Sequence, residues 1–514
     1  MKKNTILITL MVMISNIVVK ILGLIRDVVL ANTYGTSIYS DAYIVANNIP
    51  IVIFSVVAVA ISTSFIPIFS EINELEGENQ SIRFMNNFIN IILLISVFIV
   101  IIGELFPDLL VKIFAYGFSD EAYRLTVNFT KILLPSIIII ALMSVAGSYL
   151  QLNKDFVPIS YVSIPNNILV IISIILAFYT DKPYLLAIGT LVGMISQIIY
   201  YYPFVKRNGY KHIFYVDFKD KYLKRIMIMI IPVFIGAAVN EVNTIIDRAL
   251  VSGLESGSIA ALNYASKLIG FITGVFIVSI ITIIYPKMSE MSAKLEFENF
   301  KSYIVKFLSI IILLIIPITM ISIIYSKDIV KIIFERGTFD ERSTYMTAIS
   351  LSAYSIGLIG IAFREILTKA YFSLKDTKTP MINGAIAVIF NIILNIFLIR
   401  KIGFVGSAIA TSITSLITSG LLIINLQKKI GKVLTFKFYF NASKIIISSI
   451  FSCIGWNYLY KNITILNKNM LMQLIVFGMI VILTILSYIT ILFVLKEDNI
   501  IDMWKIIKIK IKRK

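Results

Sequence analysis

Residues 304–324 read IVKFLSIIILLIIPITMISII, twenty-one positions carrying one charge, Lys306. Residues 89–103, INIILLISVFIVIIG, repeat the pattern without any charge. Neither run leaves a polar face. A transmembrane β-strand alternates apolar and polar residues over about ten positions, which these runs do not do. Crossing about 30 Å of hydrocarbon takes about 20 helical residues, and lipid-facing backbone must satisfy its own hydrogen bonds. The expected fold is therefore an all-α polytopic membrane protein.

Working outward, the same reading predicts fourteen transmembrane helices at 5–31, 42–69, 87–106, 129–151, 158–179, 184–205, 226–250, 259–286, 304–325, 346–372, 382–399, 404–426, 440–460 and 470–495. Of 514 residues, 58% are hydrophobic and 15% charged, which excludes an ordinary water-soluble protein. The formal charge of +18 gathers in the connections and the tail, so it is read as a membrane-orientation signal and not as a nucleic-acid footprint. Lys206 to Arg225, Lys428 to Lys437 and Lys505 to Lys514 fall on one face. That places both termini in the cytoplasm of a bacterial inner-membrane protein. The acidic segment Glu71 to Arg83 falls on the same face and runs against the trend. The lone Cys453 lies in an apolar run and supports no disulfide framework. The first hydrophobic stretch carries Arg26 and Asp27 and lacks a small-residue cleavage site, so it is read as a mature helix.

An internal repeat offset by about 220 residues organises the chain. Pro67-Ile68-Phe69-Ser70-Glu71 returns as Pro286-Lys287-Met288-Ser289-Glu290, and Val111-Lys112-Ile113-Phe114 returns as Val330-Lys331-Ile332-Ile333. Leu152-Asn153-Lys154-Asp155, followed by Pro158, is matched by Leu374-Lys375-Asp376, followed by Pro380; each connector precedes an Asn-rich apolar helix. Two parallel six-helix lobes follow, residues 1–210 and 220–428, with a C-terminal helix pair and basic tail in 435–514. Repeated bundles of this kind are common in transporters.

Ionisable groups at membrane depth are costly, about 2.5–3.5 kcal/mol on insertion scales, so each needs a partner, a wet cavity or a task. They cluster at Lys20, Arg26 and Asp27, at Glu241, Asp247 and Arg248, at Lys267, and at Arg364, Glu365 and Lys369. Lys20 and Asp27 lie two turns apart on one helix face. The surplus of positive charge suits an anionic group such as a pyrophosphate. Arg26-Asp27 and Asp247-Arg248 are alternatively local ion pairs. No phosphate-binding Gly-rich loop with Lys-Ser/Thr is present, and the only histidine, His212, sits in a basic loop. The reading is a transporter and not an enzyme.

Ile21-Leu22-Gly23-Leu24-Ile25-Arg26-Asp27, with Tyr34-Gly35 and Asp41-Ala42-Tyr43, resembles the opening of MurJ (MviN) lipid II flippases. Asp247-Arg248-Ala249-Leu250 through Lys267-Leu268, and Arg364-Glu365-Ile366-Leu367 through Thr379-Pro380, resemble two further blocks of that family. The likeness covers about residues 15–430. It implies outward flipping of undecaprenyl-pyrophosphate-linked peptidoglycan precursor by alternating access, within the multidrug/oligosaccharidyl-lipid/polysaccharide exporter superfamily. It implies cationic cavity residues at Lys20, Arg26 and Lys267; Asp27, Asp41 and Arg364 are read beside them as candidate substrate-binding residues. It also implies a candidate sodium site at Asp247, Asn391, Asn395 and Thr411, and no other cofactor. The implied partners are a lipid-linked glycan, the bilayer and the cell-wall synthesis machinery. Three departures stand out. Lysine replaces the usual arginine at Lys20 and Lys267; Ile53, Phe54 and Ser55 stand where the family has paired arginines; and Ser266 replaces an acid. A flippase for another polyprenyl-linked glycan, or a non-transporting scaffold, remains an alternative reading of the same residues.

Overall fold

The computed structural model describes residues 2–464, 470–502 and 504–505, without the side chains of 2–10, 13, 60, 232–240, 463, 464, 470 and 471. All its regular structure is helical, with no strand among the described residues. In chain order the helices are α1 (Lys2–Tyr34), α2 (Ile38–Leu75), α3 (Glu78–Leu105), α4 (Pro107–Ala115), α5 (Asp120–Leu133), α6 (Ser136–Leu152), α7 (Phe156–Tyr161), α8 (Ser163–Tyr179), α9 (Tyr184–Arg207) and α10 (Lys221–Val251). They continue with α11 (Ser258–Ile272), a π-turn at Thr273–Ile277, α12 (Val278–Ala293), α13 (Phe297–Ile324), α14 (Ser326–Phe334) and α15 (Glu341–Ile356). The last are α16 (Leu358–Ser373), α17 (Lys378–Ile402), α18 (Val405–Ile430), α19 (Phe436–Thr464) and α20 (Met470–Val494).

Among the described residues, 10 helices are long and apolar enough to cross a membrane, or 12 if each of two bent pairs counts as one span. Two further expected spans, 5–31 and 226–250, fall on α1 and α10, each of which includes side chains outside the described residues. The expected tail is described no further than Lys505. The chain is a multi-pass, all-α membrane protein.

The bent pairs are α5 with α6 and α15 with α16, each turned by 43°. At the first break Pro135 supplies no backbone N–H. At the second, serines of α18 enter the break. Ser412 Oγ donates to the Ala353 carbonyl at 2.6 Å, and Ser415 Oγ donates at 3.0 Å to the Gly357 carbonyl, which also accepts the Ile361 amide at 2.9 Å, so side chains add to the backbone bonds at the break. Gly357 is required there, because a Cβ would lie 2.7 Å from Ser412 Cα. The repeated Val-Lys-Ile motifs fall on α4 and α14, short helices between spans.

The chain divides into two compact units, residues 1–263 with 336–343, and residues 264–335 with 344–514. In the first, α2 packs on α5, α6 and α10, and α8 lies between α1 and α9. Phe65 stacks on Phe84 and Phe88 at 6.0 and 5.5 Å, and all three are buried. In the second, α17 pairs with α18, α18 carries α16, and α13 carries α19.

The acidic connection from α2 to α3 is neutralised inside the first unit. Glu71 takes Arg225 at 2.7 Å, and Glu76 takes Lys221 at 2.8 Å and the Tyr222 hydroxyl at 2.6 Å. Those hydrogen bonds hold the Glu76 carboxyl below its ordinary range. The segment that ran against the charge trend is thus paired with the basic start of α10.

Candidate substrate site

In the first unit, α1 carries Lys20, Arg26 and Asp27. The Arg26 guanidinium donates to Asp27 Oδ1 at 2.9 and 3.2 Å and to Asn167 Oδ1 of α8 at 3.3 Å. Asn167 is itself fixed by donating to the Ser163 carbonyl at 2.9 Å. Asp27 is 5% exposed. Adjacent residues on a helix ordinarily diverge, and here the Arg26 guanidinium bridges Asp27 and Asn167 of α8. Lys20 is half-exposed on the same helix and, among the described residues, has no hydrogen-bond or ion-pair partner. So the two α1 cations differ: one is engaged by the protein and the other is available to a ligand.

Asp41 sits in the first turn of α2, 4% exposed. Its carboxylate accepts the Gly257 amide at 2.6 Å and the Ala260 amide at 2.7 Å, capping the open N–H groups where α11 begins. Both oxygens are thereby occupied by backbone amides. Gly257 has φ +89, and a Cβ on it would press into the Thr36 backbone. Around it Arg342 reaches Glu255 at 3.1 Å, and the Thr36 and Ser343 hydroxyls meet at 2.8 Å.

Ser55, in the α2 stretch singled out in the sequence, donates to Glu241 Oε1 of α10 at 2.8 Å. Sequence reading had noted each residue separately and missed the pair, since nothing local joins positions 186 residues apart. Asp247, on the same helix, accepts Asn243 Nδ2 at 3.2 Å.

In the second unit, Lys267 is exposed on α11 and Arg364 half-exposed on α16. Neither has an ion-pair partner among the described residues. Lys369, one turn further, lies 5.7 Å from the Tyr285 ring centre and 5.5 Å from that of Phe372. Asn395 Nδ2 donates to Asn391 Oδ1 at 2.5 Å, and Asn391 Nδ2 to Thr411 Oγ1 at 3.5 Å. The three form a neutral, oxygen-bearing bridge from α17 to α18. Among the described residues no three His, Cys, Asp or Glu side chains gather as a metal cluster.

Charged helices repeated along a chain of membrane-spanning helices are the architecture of a transporter. The fold agrees: an inward-facing multidrug resistance MATE family transporter of the MOP superfamily matches 81% of this chain and 98% of its own, at 14% identity and TM-score 0.66. The family follows from closer likeness, because the lipid II flippase MurJ model matches residues 30–483. The chain belongs to the lipid II flippase MurJ family. A probable lipid II flippase MurJ of Buchnera aphidicola subsp. Baizongia pistaciae is 31% identical over 414 residues, 78% of this chain and 80% of the relative. That of Treponema pallidum is 28% identical over 427 residues, 81% and 80%. A solved lipid II flippase MurJ in an inward closed conformation matches 96% of this chain and 100% of its own, at 28% identity and TM-score 0.82.

Proposed function

We propose that this chain flips lipid II from the inner to the outer leaflet of a bacterial inner membrane by alternating access. Family membership supports the substrate. The availability of Lys20, beside an Arg26 already engaged, is the observation that carries the site reading. In this reading Lys20, on the helix that also carries the Asp27-paired Arg26, meets the pyrophosphate in the first unit as its head leaves water, and Lys267 and Arg364 are the second unit's own available cations. Lysine contributes charge without the planar fork of arginine, so the grip is electrostatic and not bidentate. Asp27 and Asp41 serve by holding Arg26 and α11.

Both termini lie in the cytoplasm in this proposal, a reading supported by the neutralised acidic segment after α2. Sodium is proposed as a coupling ion on the chemistry of the residue types alone: Asp247 is a carboxylate, and Asn391, Asn395 and Thr411 carry neutral oxygens, donors that suit a hard cation. Sodium-stimulated flipping is the readout for that part.

The test is depletion of the native lipid II flippase in a tractable bacterium, rescue with this chain, and assay of lipid II on the outer leaflet. Restored exposure is expected, lost again on Lys20→Ala without a fall in protein abundance. Failure by well-expressed protein would point to another polyprenyl-linked glycan.

A further inference from the structure

Glu241 stands about 15 Å along α10 from its nearer end, ten residues before Val251. It is half-buried and accepts the Ser55 hydroxyl at 2.8 Å. Ser55 also faces a cavity of about 490 Å³ within the first unit, shared with Ser144, Asn166 and Gln197 among apolar residues such as Met143 and Met194. Asn166 Oδ1 is buried at that cavity and has no hydrogen-bond partner among the described residues. Gly193 lies against it, where a Cβ would collide with the same oxygen.

Glu241 does not itself line the cavity; it acts on this corner through Ser55, whose hydroxyl proton it accepts, so that Ser55 Oγ and the unpartnered Asn166 amide oxygen are the acceptors presented there. A phosphate would meet the negative charge of Glu241 behind Ser55 as a like charge. An ammonium group carries the opposite charge and three donors, with no acceptor to satisfy. Ser55 and Glu241 therefore give this corner a negative polarity.

We propose that Glu241, with Ser55 and Asn166, forms a specificity-determining subsite for an ammonium group on the head of the lipid-linked substrate. The inference rests on the lipid II reading, whose stem peptide can carry a primary amine. The pyrophosphate and the amine then have separate partners, cations for the first and Glu241 for the second.

The experiment uses the full chain in lipid vesicles and follows flipping of two lipids, lipid II with a free stem-peptide amine and the same lipid acetylated on that amine. Wild type is expected to favour the free amine by about tenfold, the discrimination one charge-assisted hydrogen bond provides. Glu241→Gln should bring the ratio near one, and Glu241→Asp should keep most of the preference. Equal rates for the two lipids in wild type overturn the inference while leaving the flippase reading intact. A preference that survives in folded Glu241→Gln also overturns it. If neither lipid moves through well-reconstituted wild type, the flippase reading itself fails and the subsite falls with it. Should Glu241→Gln not fold, the wild-type ratio alone decides.

Discussion

Asp155 and Asp376 occupy the same point in two copies of one connector, and each holds the end of a helix more than fifty residues further along. Asp155 takes Arg207 at 2.7 Å, and Asp376 takes Lys429. The residues before them, Lys154 and Lys375, share a left-handed backbone at φ 57 and 58. Both aspartate amides return 2.9 Å hydrogen bonds to carbonyls five residues back, Leu150 and Tyr371, closing the preceding helix in the same way. The duplication thus reaches from sequence motif to cap geometry to tertiary ion pair within each unit.

Asp376 makes this clamp sensitive to acid. Partial burial pushes its carboxyl up, but hydrogen bonds from the Lys429 and Thr379 side chains and the Thr379 amide outweigh that and bring it down to about 2. A carboxyl depressed on folding adds stability above its unfolded value of 3.8, and loses it as pH falls through about 2. Asp376→Asn should therefore cost about 1 kcal/mol at neutral pH and less as acid removes the wild-type advantage. Thermal melts of both proteins in detergent between pH 2 and 7 measure this. Parallel curves at every pH would show that the ion pair contributes nothing.

Arg26 and Lys20 should separate in abundance. Arg26→Ala leaves the buried Asp27 carboxylate without its cation, and breaking a buried pair from one side costs about 3 kcal/mol or more. The variant is expected at reduced level in membranes. Arg26→Ala with Asp27→Ala should recover the level, since no orphaned charge remains, while Lys20→Ala should be made normally from the start. Immunoblots of membrane fractions distinguish these outcomes; normal levels for Arg26→Ala would mean that water or lipid headgroups reach Asp27.

The spans were legible because burial in lipid makes long apolar runs unavoidable, and the repeat was legible because it preserves Glu71 with Glu290 and Asp155 with Asp376. Partners were not. Arg26 with Asp27 was one of two readings, and only the lean toward Asn167 decides between them. Asp41 looked like a substrate-facing acid, yet its oxygens take the Gly257 and Ala260 amides, a contact across 216 and 219 residues that no local pattern announces. Ser55 appeared as the loss of an arginine, and folding gives it Glu241. Periodicity reports which side of a helix avoids water, whereas pairing depends on which helices meet.

Gly257 should tolerate no side chain. Its φ of +89 is strained for any other residue, and a Cβ would meet the Thr36 backbone, which cannot withdraw as a side-chain tip could. Gly257→Ala is expected to lose about 2 kcal/mol or more and to weaken the Asp41 cap with it. Asp41→Asn keeps one acceptor oxygen and should cost less. Melting temperatures ordered wild type, Asp41→Asn, Gly257→Ala would agree; an undisturbed Gly257→Ala would show that the turn relaxes freely.

Three asparagines on α3 strap down the connector that precedes α10. Asn87 exchanges two hydrogen bonds with the Asp217 backbone, at 2.7 and 2.9 Å. Asn86 accepts the Ile213 amide at 3.0 Å and donates to the Lys211 carbonyl at 3.1 Å, and Asn90 donates to the Ile213 and Tyr215 carbonyls. The connector has no regular structure of its own, so these amides replace the ladder a second strand would supply. Asp217 is half-exposed, which lets water take over when an asparagine is removed, and the loss per position should stay near 1 kcal/mol. Asn86→Ala with Asn87→Ala should then free the strap without unfolding the bundle. Cleavage of folded protein by trypsin after Lys211 reads the open population, and it should rise at least about tenfold while the melting temperature changes little. Unchanged cleavage would mean that packing of Tyr210 and Val216 against the apolar core holds the connector without the amides.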